Sequence, residues 1–148
     1  METQEKVKKG YYEARKKFRF EASHILSSAY SHNCRNHIHG HSYVVEVLFR
    51  TDTLNQDTMV IDFGFVKEHI AKIINKYDHK FICHAEDKRT RYTNIADILM
   101  SENPTAEHMA KVFFTDIKEE LKHHIKEDIV YKVIVHETES GYASYWEE

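Results

Sequence analysis

The sequence predicts an α+β protein in which two helices cover one face of an antiparallel β-sheet. Segments with strict period-two alternation predict strands, and two segments with apolar residues at three- and four-residue spacing predict amphipathic helices. The 148 residues include only four glycines and one proline, so turn signals are scarce and the elements should be long. An apolar content of 41% is enough for a core in one domain of this length, 1–148. Residues 1–10, rich in Lys and Glu, read as a solvated tail.

The first strand runs from Tyr12 to His24, with Phe18, Phe20 and Ala22 on one parity and Lys17, Arg19 and Glu21 on the other. The second places Tyr43, Val45, Val47 and Phe49 opposite Ser42, Glu46 and Arg50. A short apolar piece at 59–61, after the polar turn 53–57, is expected to complete a hairpin. Asp62 then reads as an N-cap for a helix whose stripe is Val66, Ile70, Ile73, Ile74 and Tyr77. The polar stretch 84–102 is expected to be a loop with a helical piece near 95–100. Asn103 reads as the cap and Pro104 as the first residue of a second helix carrying Met109, Ala110, Phe113, Ile117 and Leu121. Ile129, Tyr131, Val133 and Val135 alternate as a third long strand. Ser140-Gly141 turns the chain, and 142–146 is the last strand.

A net charge of −3 points to neither nucleic acid nor a membrane surface as partner. No apolar run approaches the roughly 18 to 20 residues that span a bilayer, and the basic, Glu-containing start resembles neither a secretory signal nor a transit peptide. Two cysteines, Cys34 and Cys83, are too few for a disulfide framework. A cytoplasmic location follows as the expectation.

The twelve histidines are the anomaly, because His24, His32, His37, His39 and His41 crowd into one segment. His39 and His41 flank Gly40 at the start of the second strand, where residues two apart share a face about 6.6 Å along. His24 ends the first strand on the parity of its apolar row. An antiparallel pairing therefore brings three imidazoles together, and three neutral nitrogens with one open position describe a catalytic Zn²⁺ site. Scattered surface histidines are the alternative. Cys34, five positions before His39, is a candidate thiolate base or nucleophile, or else a fourth zinc ligand in a noncatalytic staple. His32 and His37 read as exposed loop residues. Asp78-His79, after the first helix, pairs a carboxylate with an imidazole that can relay a proton. Glu137 extends the apolar row of the third strand, where a carboxylate is either recruited for a ligand, such as the paired N–H donors of a 2-amino-pyrimidinone ring, or already in water. Glu107 lies in the first turn of the second helix, a position also favoured by the helix dipole.

Six short motifs, in order from about Phe18 to Tyr145, resemble the 6-pyruvoyl-tetrahydropterin synthase and 6-carboxy-tetrahydropterin synthase family. They are Phe20-Glu21-Ala22-Ser23-His24, His39-Gly40-His41-Ser42-Tyr43, Val60-Ile61-Asp62-Phe63, Tyr77-Asp78-His79, Asn103-Pro104-Thr105-Ala106-Glu107 and His136-Glu137-Thr138. The resemblance implies a tunnelling fold, in which sheets of several subunits join into a barrel, commonly in a hexamer with sites at subunit interfaces. It makes His24, His39 and His41 the Zn²⁺ ligands, Cys34 the base, and Asp78 and His79 its relay partners. Glu137 would anchor the pterin, with Thr105 and Glu107 near it from a neighbouring subunit. The implied substrate is 7,8-dihydroneopterin triphosphate, and the implied product is 6-carboxy-5,6,7,8-tetrahydropterin for queuosine (7-deazaguanine) biosynthesis. Arg35 and Lys80 adjoin these positions as candidate phosphate cations.

One departure bears on the product. Four residues separate Cys34 from His39, whereas the resemblance associates three with the carboxy product and five with the pyruvoyl product. Four also occurs in an aldolase-type group that carries Glu where this chain has His37. The pyruvoyl and folate-branch reactions are therefore the competing enzymatic readings. The stretch 84–102 is longer than in compact relatives and receives no role.

Overall fold

The computed structural model describes residues 3–148. Strand β1 (Tyr12–His24) pairs antiparallel along its whole length with β2 (His39–Thr51), setting Phe18 opposite Val45, Phe20 opposite Tyr43 and His24 opposite His39. Between them lies one short helix, α1 (His32–Asn36). Helix α2 (Phe63–Asn75) follows, then β3 (Lys80–His84), the short helix α3 (Thr90–Thr93) and β4 (Ile98–Met100). Helix α4 (Ala106–Lys122), β5 (Val130–His136) and β6 (Tyr142–Trp146) complete the chain. The sheet order is β4-β3-β1-β2-β5-β6.

The α+β class and the helices on one face are as expected, but the sheet is mixed. β3 joins β1 in parallel and β4 joins β3 in parallel, so the stretch 84–102 holds a helical turn and an edge strand where a loop with a helical piece at 95–100 was expected. Period-two patterning cannot reveal strands of five and three residues. The piece at 59–61 is not a strand. Asn55 takes the backbone N–H groups of Asp57 and Met59 on its side-chain oxygen, while Asn55 N donates to the Met59 carbonyl. These local bonds close a turn that competes with any hairpin ladder.

Phe20, Tyr43, Val45, Val47, Phe49, Val133 and Val135 form the helix-facing side of the sheet. Val66, Ile70 and Ile74 of α2, with Met109, Phe113 and Ile117 of α4, cover them. Phe20 stacks on Tyr43 at 4.6 Å between centroids, and Phe113 meets Phe20 edge-on at 5.8 Å. Such aromatic pairs contribute about 0.5–1.5 kcal/mol each beyond their buried area. The other side of the sheet is polar. Glu46, buried there, accepts from Arg15 at 2.8 Å and bonds His136 Nε2 at 2.6 Å.

Asp62 caps α2 as expected, accepting from the N–H groups of Gly64 and Phe65. The cap of α4 is Thr105, whose hydroxyl accepts from His108 N. Asn103 does not take that role, because its side-chain oxygen is engaged by the backbone N–H and hydroxyl of Ser27.

The segment carrying α1 is clamped from α3. Arg89 makes an ion pair with buried Asp87 at 2.8 Å and donates to the carbonyls of Leu26 and Arg35. Leu26 N in turn donates to the Cys34 carbonyl.

Two stability measurements check these assignments. Asp62→Ala should cost about 1 kcal/mol in denaturant unfolding, the usual size of a lost cap. The guanidinium bonded to Asp87 holds its carboxyl below the usual range, so its contribution is complete above the unfolded aspartate pKa of about 3.9. That contribution disappears as pH falls through the lower folded value. The gap in unfolding midpoint between the parent chain and Asp87→Asn should therefore be wide at pH 7 and narrow at pH 2–3.

Candidate metal centre and adjoining groove

The register of β1 on β2 builds the centre. His24 faces His39 across the ladder and Ala22 faces His41, on the side of the sheet that carries Phe20 and Tyr43. The rings of His24 and His39 lie 4.5 Å apart, and His41 stands 5.1 Å from each, all steeply inclined. One ligand atom from each of the three lies within 4.8 Å of the others. Gly40 lets the strands close here, since a Cβ on it would come within 3.3 Å of the Ala22 carbonyl oxygen.

The hydrogen bonds determine the tautomers. His24 Nδ1 donates to the Pro104 carbonyl at 2.7 Å and His39 Nδ1 donates to the His37 carbonyl at 2.9 Å. Each neutral ring then presents a lone pair at Nε2, and these two nitrogens face one another at 3.0 Å. His41 Nε2 is buried without a hydrogen-bond partner, since Glu137 Oε1, 3.2 Å away, lies off hydrogen-bond geometry. Two lone pairs facing one another beside the unpartnered His41 Nε2 are satisfied by a cation, with backbone carbonyls fixing two rings from behind as in histidine-ligated metals.

Burial is the main cause that lowers the His24 pKa to about 4, and the neighbouring rings of His39 and His41 add to it. His41 is lowered too, first by burial, with Glu137 opposing. Both are therefore neutral near pH 7, as metal ligation requires.

Glu137 follows the last residue of β5, and its backbone N–H bonds the Gly141 carbonyl. Its carboxylate is half-buried and directed to the centre. Asp78 and His79 form the turn after α2. Asp78 accepts from Glu21 N at 2.8 Å and lies 3.0 Å from His79 Nδ1, while His79, in a left-handed conformation at φ 59°, has a largely exposed side chain. The Glu21 N–H and the His79 ring hold the Asp78 carboxyl below its ordinary pKa.

His41, His79 and Lys80 share the wall of one groove of about 480 Å³. Glu21, Ser42 and Asp97 also line it. None of these three was singled out from the sequence. Strand parity offered a signal for Glu21 and Ser42, which are bonded at 2.6 Å, but none for Asp97, which caps the start of β3 by accepting from Phe81 N.

The remaining candidates stand apart. Cys34 is half-buried in α1, and its sulfur is not among the atoms of the histidine cluster. Arg35 lines a separate depression with Asp87 and Arg89. Thr105 is occupied as the α4 cap, and exposed Glu107 sits in that helix's first turn. His32 and His37 are exposed, as expected. A larger cavity of about 930 Å³, lined by Arg50, Asp52, Phe65 and Lys118, lies at the other end of β2 and contains none of the three histidines. No helix among the described residues is long and apolar enough to cross a membrane.

Residues 13–148 match the family model described as 6-pyruvoyl tetrahydropterin synthase. The chain is 34% identical to the 6-carboxy-5,6,7,8-tetrahydropterin synthase of Aquifex aeolicus, over 93% of this chain and 99% of that one. It is 32% identical to the Helicobacter pylori (strain J99) protein of the same name, over 87% and 70%. The solved 6-pyruvoyl tetrahydropterin synthase of Plasmodium falciparum has the same fold, with a TM-score of 0.76 and 20% identity over 93% of this chain and 98% of that one. A match along all but the first twelve residues, with the histidine cluster on its two central strands, leads to one conclusion: the chain belongs to the 6-pyruvoyl tetrahydropterin synthase family.

Proposed function

We propose that this protein is a zinc-dependent pterin lyase that converts 7,8-dihydroneopterin triphosphate to 6-carboxy-5,6,7,8-tetrahydropterin, a step of queuosine (7-deazaguanine) biosynthesis. The observation that carries the reading is the convergence of three imidazoles, two of them anchored by backbone carbonyls, in a chain whose Aquifex aeolicus and Helicobacter pylori relatives bear the 6-carboxy name.

His24, His39 and His41 would hold the ion, a His₃ set with an open position suited to catalytic Zn²⁺. When bound, the metal supplies Lewis acidity toward the substrate's side-chain oxygens. The protein's residues supply the rest. Cys34 takes a proton from the carbon beside such an oxygen, and the Asp78–His79 pair relays protons at the groove rim. Loss of triphosphate, and carbon–carbon cleavage in which a water is taken up and the outer two carbons leave as acetaldehyde, then complete the reaction. Glu137 accepts the N–H donors of the pterin's 2-amino-pyrimidinone edge, a charge-assisted bidentate contact. Thr105 and Glu107 would meet the pterin from a neighbouring subunit of a cytoplasmic homo-oligomer, a hexamer by family resemblance, which also covers the sheet edges β4 and β6. Lys80, on the groove wall, suits the triphosphate.

His37 bears on the product. Its carbonyl orients His39, and its exposed ring stands 6.0 Å from that of His32. With no carboxylate at that position, the aldolase-type reaction lacks the base associated with it, and the 6-carboxy names of the relatives favour the carboxy over the pyruvoyl product. The position of the Cys34 sulfur outside the histidine cluster speaks against a noncatalytic staple.

Cys34→Ala should retain the metal content of the parent chain and lower turnover by about 10²- to 10⁴-fold, the usual contribution of a positioned base. Metal analysis beside mass-spectrometric identification of the product from dihydroneopterin triphosphate checks both. Metal loss with unfolding would restore the staple. Glu137→Gln should weaken pterin binding about tenfold or more, the size of a hydrogen bond to a charged group, as read by calorimetric titration. A parent chain that binds no pterin would overturn the reading.

A further inference from the structure

A second cluster of metal-ligating side chains lies between the two long helices, remote from the three histidines of the sheet. His69 projects from α2, Glu120 from the last turn of α4, and His124 from the turn that follows it. One ligand atom of each lies within 4.8 Å of the others. Glu120 Oε1 is 3.3 Å from His124 Nε2 and 3.8 Å from His69 Nδ1. The second distance is beyond hydrogen-bond reach. The first, a hydrogen bond as the chain stands, matches the edge of a tetrahedron about a metal with bonds of about 2.0–2.1 Å, roughly 3.3–3.4 Å, and the second exceeds that edge by a few tenths of an ångström.

Three further features suit an ion there. The imidazoles of His69 and His124 lie 4.0 Å apart, inclined at 39°, and Phe65 packs against the first at 4.4 Å and the second at 5.8 Å, giving one apolar wall. The position is at the C-terminal end of α4, where the helix dipole and its free carbonyls favour positive charge. A cation already occupies part of it, since Lys72 Nζ lies 2.9 Å from Glu120 Oε1. The Lys72 side chain is 61% exposed, so its ammonium can move into water at little cost.

We infer that His69, Glu120 and His124 form a second divalent-metal site that ties α2 to α4, separate from the proposed catalytic centre. Two imidazoles and one carboxylate are a borderline ligand set that selects Zn²⁺, and also Co²⁺, Ni²⁺ or Cu²⁺, over Mg²⁺ or Ca²⁺. Water completes the coordination. Because the ligands come from both helices covering the sheet, bound metal favours the folded chain and raises its unfolding temperature with metal concentration.

The test uses the full chain, stripped with chelator and titrated with Zn²⁺, with bound metal counted by elemental analysis after desalting. The parent should hold about two ions per chain and His69→Gln/His124→Gln about one. In a His39→Gln background, Zn²⁺ but not Mg²⁺ should still raise the unfolding temperature, and adding the His69 and His124 substitutions should abolish that rise. Lys72→Gln should tighten binding at this site by about 1.4- to fivefold, because the competing exposed ion pair is worth roughly 0.2–1 kcal/mol. The inference is overturned if the His69/His124 double variant binds as much zinc as the parent, or if Zn²⁺ fails to raise the unfolding temperature in the His39→Gln background.

Discussion

The thirteen-residue antiparallel pairing of β1 with β2 is the constraint to which the core and the metal centre both answer. One register sets Phe18 opposite Val45, Phe20 opposite Tyr43, Ala22 opposite His41 and His24 opposite His39. A slip by one residue would turn every side chain of a strand to the other face. It would move Phe20 out from under Phe113 and separate the imidazoles in the same step. The apolar rows that stabilise the sheet therefore enforce the geometry of the site, and the site needs no scaffold of its own.

Three consecutive residues before α4 link that helix to the centre. Asn103 holds Ser27, Pro104 accepts from His24, and Thr105 caps the helix. Burial of His24 without the Pro104 contact would leave its Nδ1–H only the long 3.4 Å contact with the Tyr43 hydroxyl, a loss of up to about 1–3 kcal/mol. With it, the ring is neutral and its Nε2 is committed to the cluster. Across the centre, Glu137 meets His41 because β5 pairs β2 in the register that places Val135 opposite Val45. Arg89 restrains the α1 segment from the far side through the Leu26 and Arg35 carbonyls. The centre thus receives contributions from β1, β2, the end of β5 and the approach to α4, while α3 holds the adjoining segment.

Strand parity alone was enough to place His24, His39 and His41 on one face, because alternation is local and the ladder is long. It also put Glu137 in line with Val133 and Val135. The caps divide instructively. Asp62 was legible because a lone carboxylate precedes a clear stripe, whereas Asn103 and Thr105 both have side chains that cap, and only the contact with Ser27 decides between them. Strands β3 and β4 left no pattern because each is short and supported by its neighbours in the sheet. Asn55 turned the apolar piece at 59–61 into a turn with bonds that composition does not disclose.

By itself the sequence determined the α+β class, the two amphipathic helices, the long central strands and the family, since all of these rest on residues close together in the chain or on motifs in fixed order. Tertiary structure decided what depends on partners far apart: the parallel edge of the sheet, the backbone carbonyls that select the histidine tautomers, and the gathering of His41, His79 and Lys80 around one groove. It also brought His69 of α2 beside Glu120 and His124. The physical reason is that periodicity reports which way a side chain points, whereas the partner it meets, eighty positions away for His24 and Pro104, is set only when the elements pack.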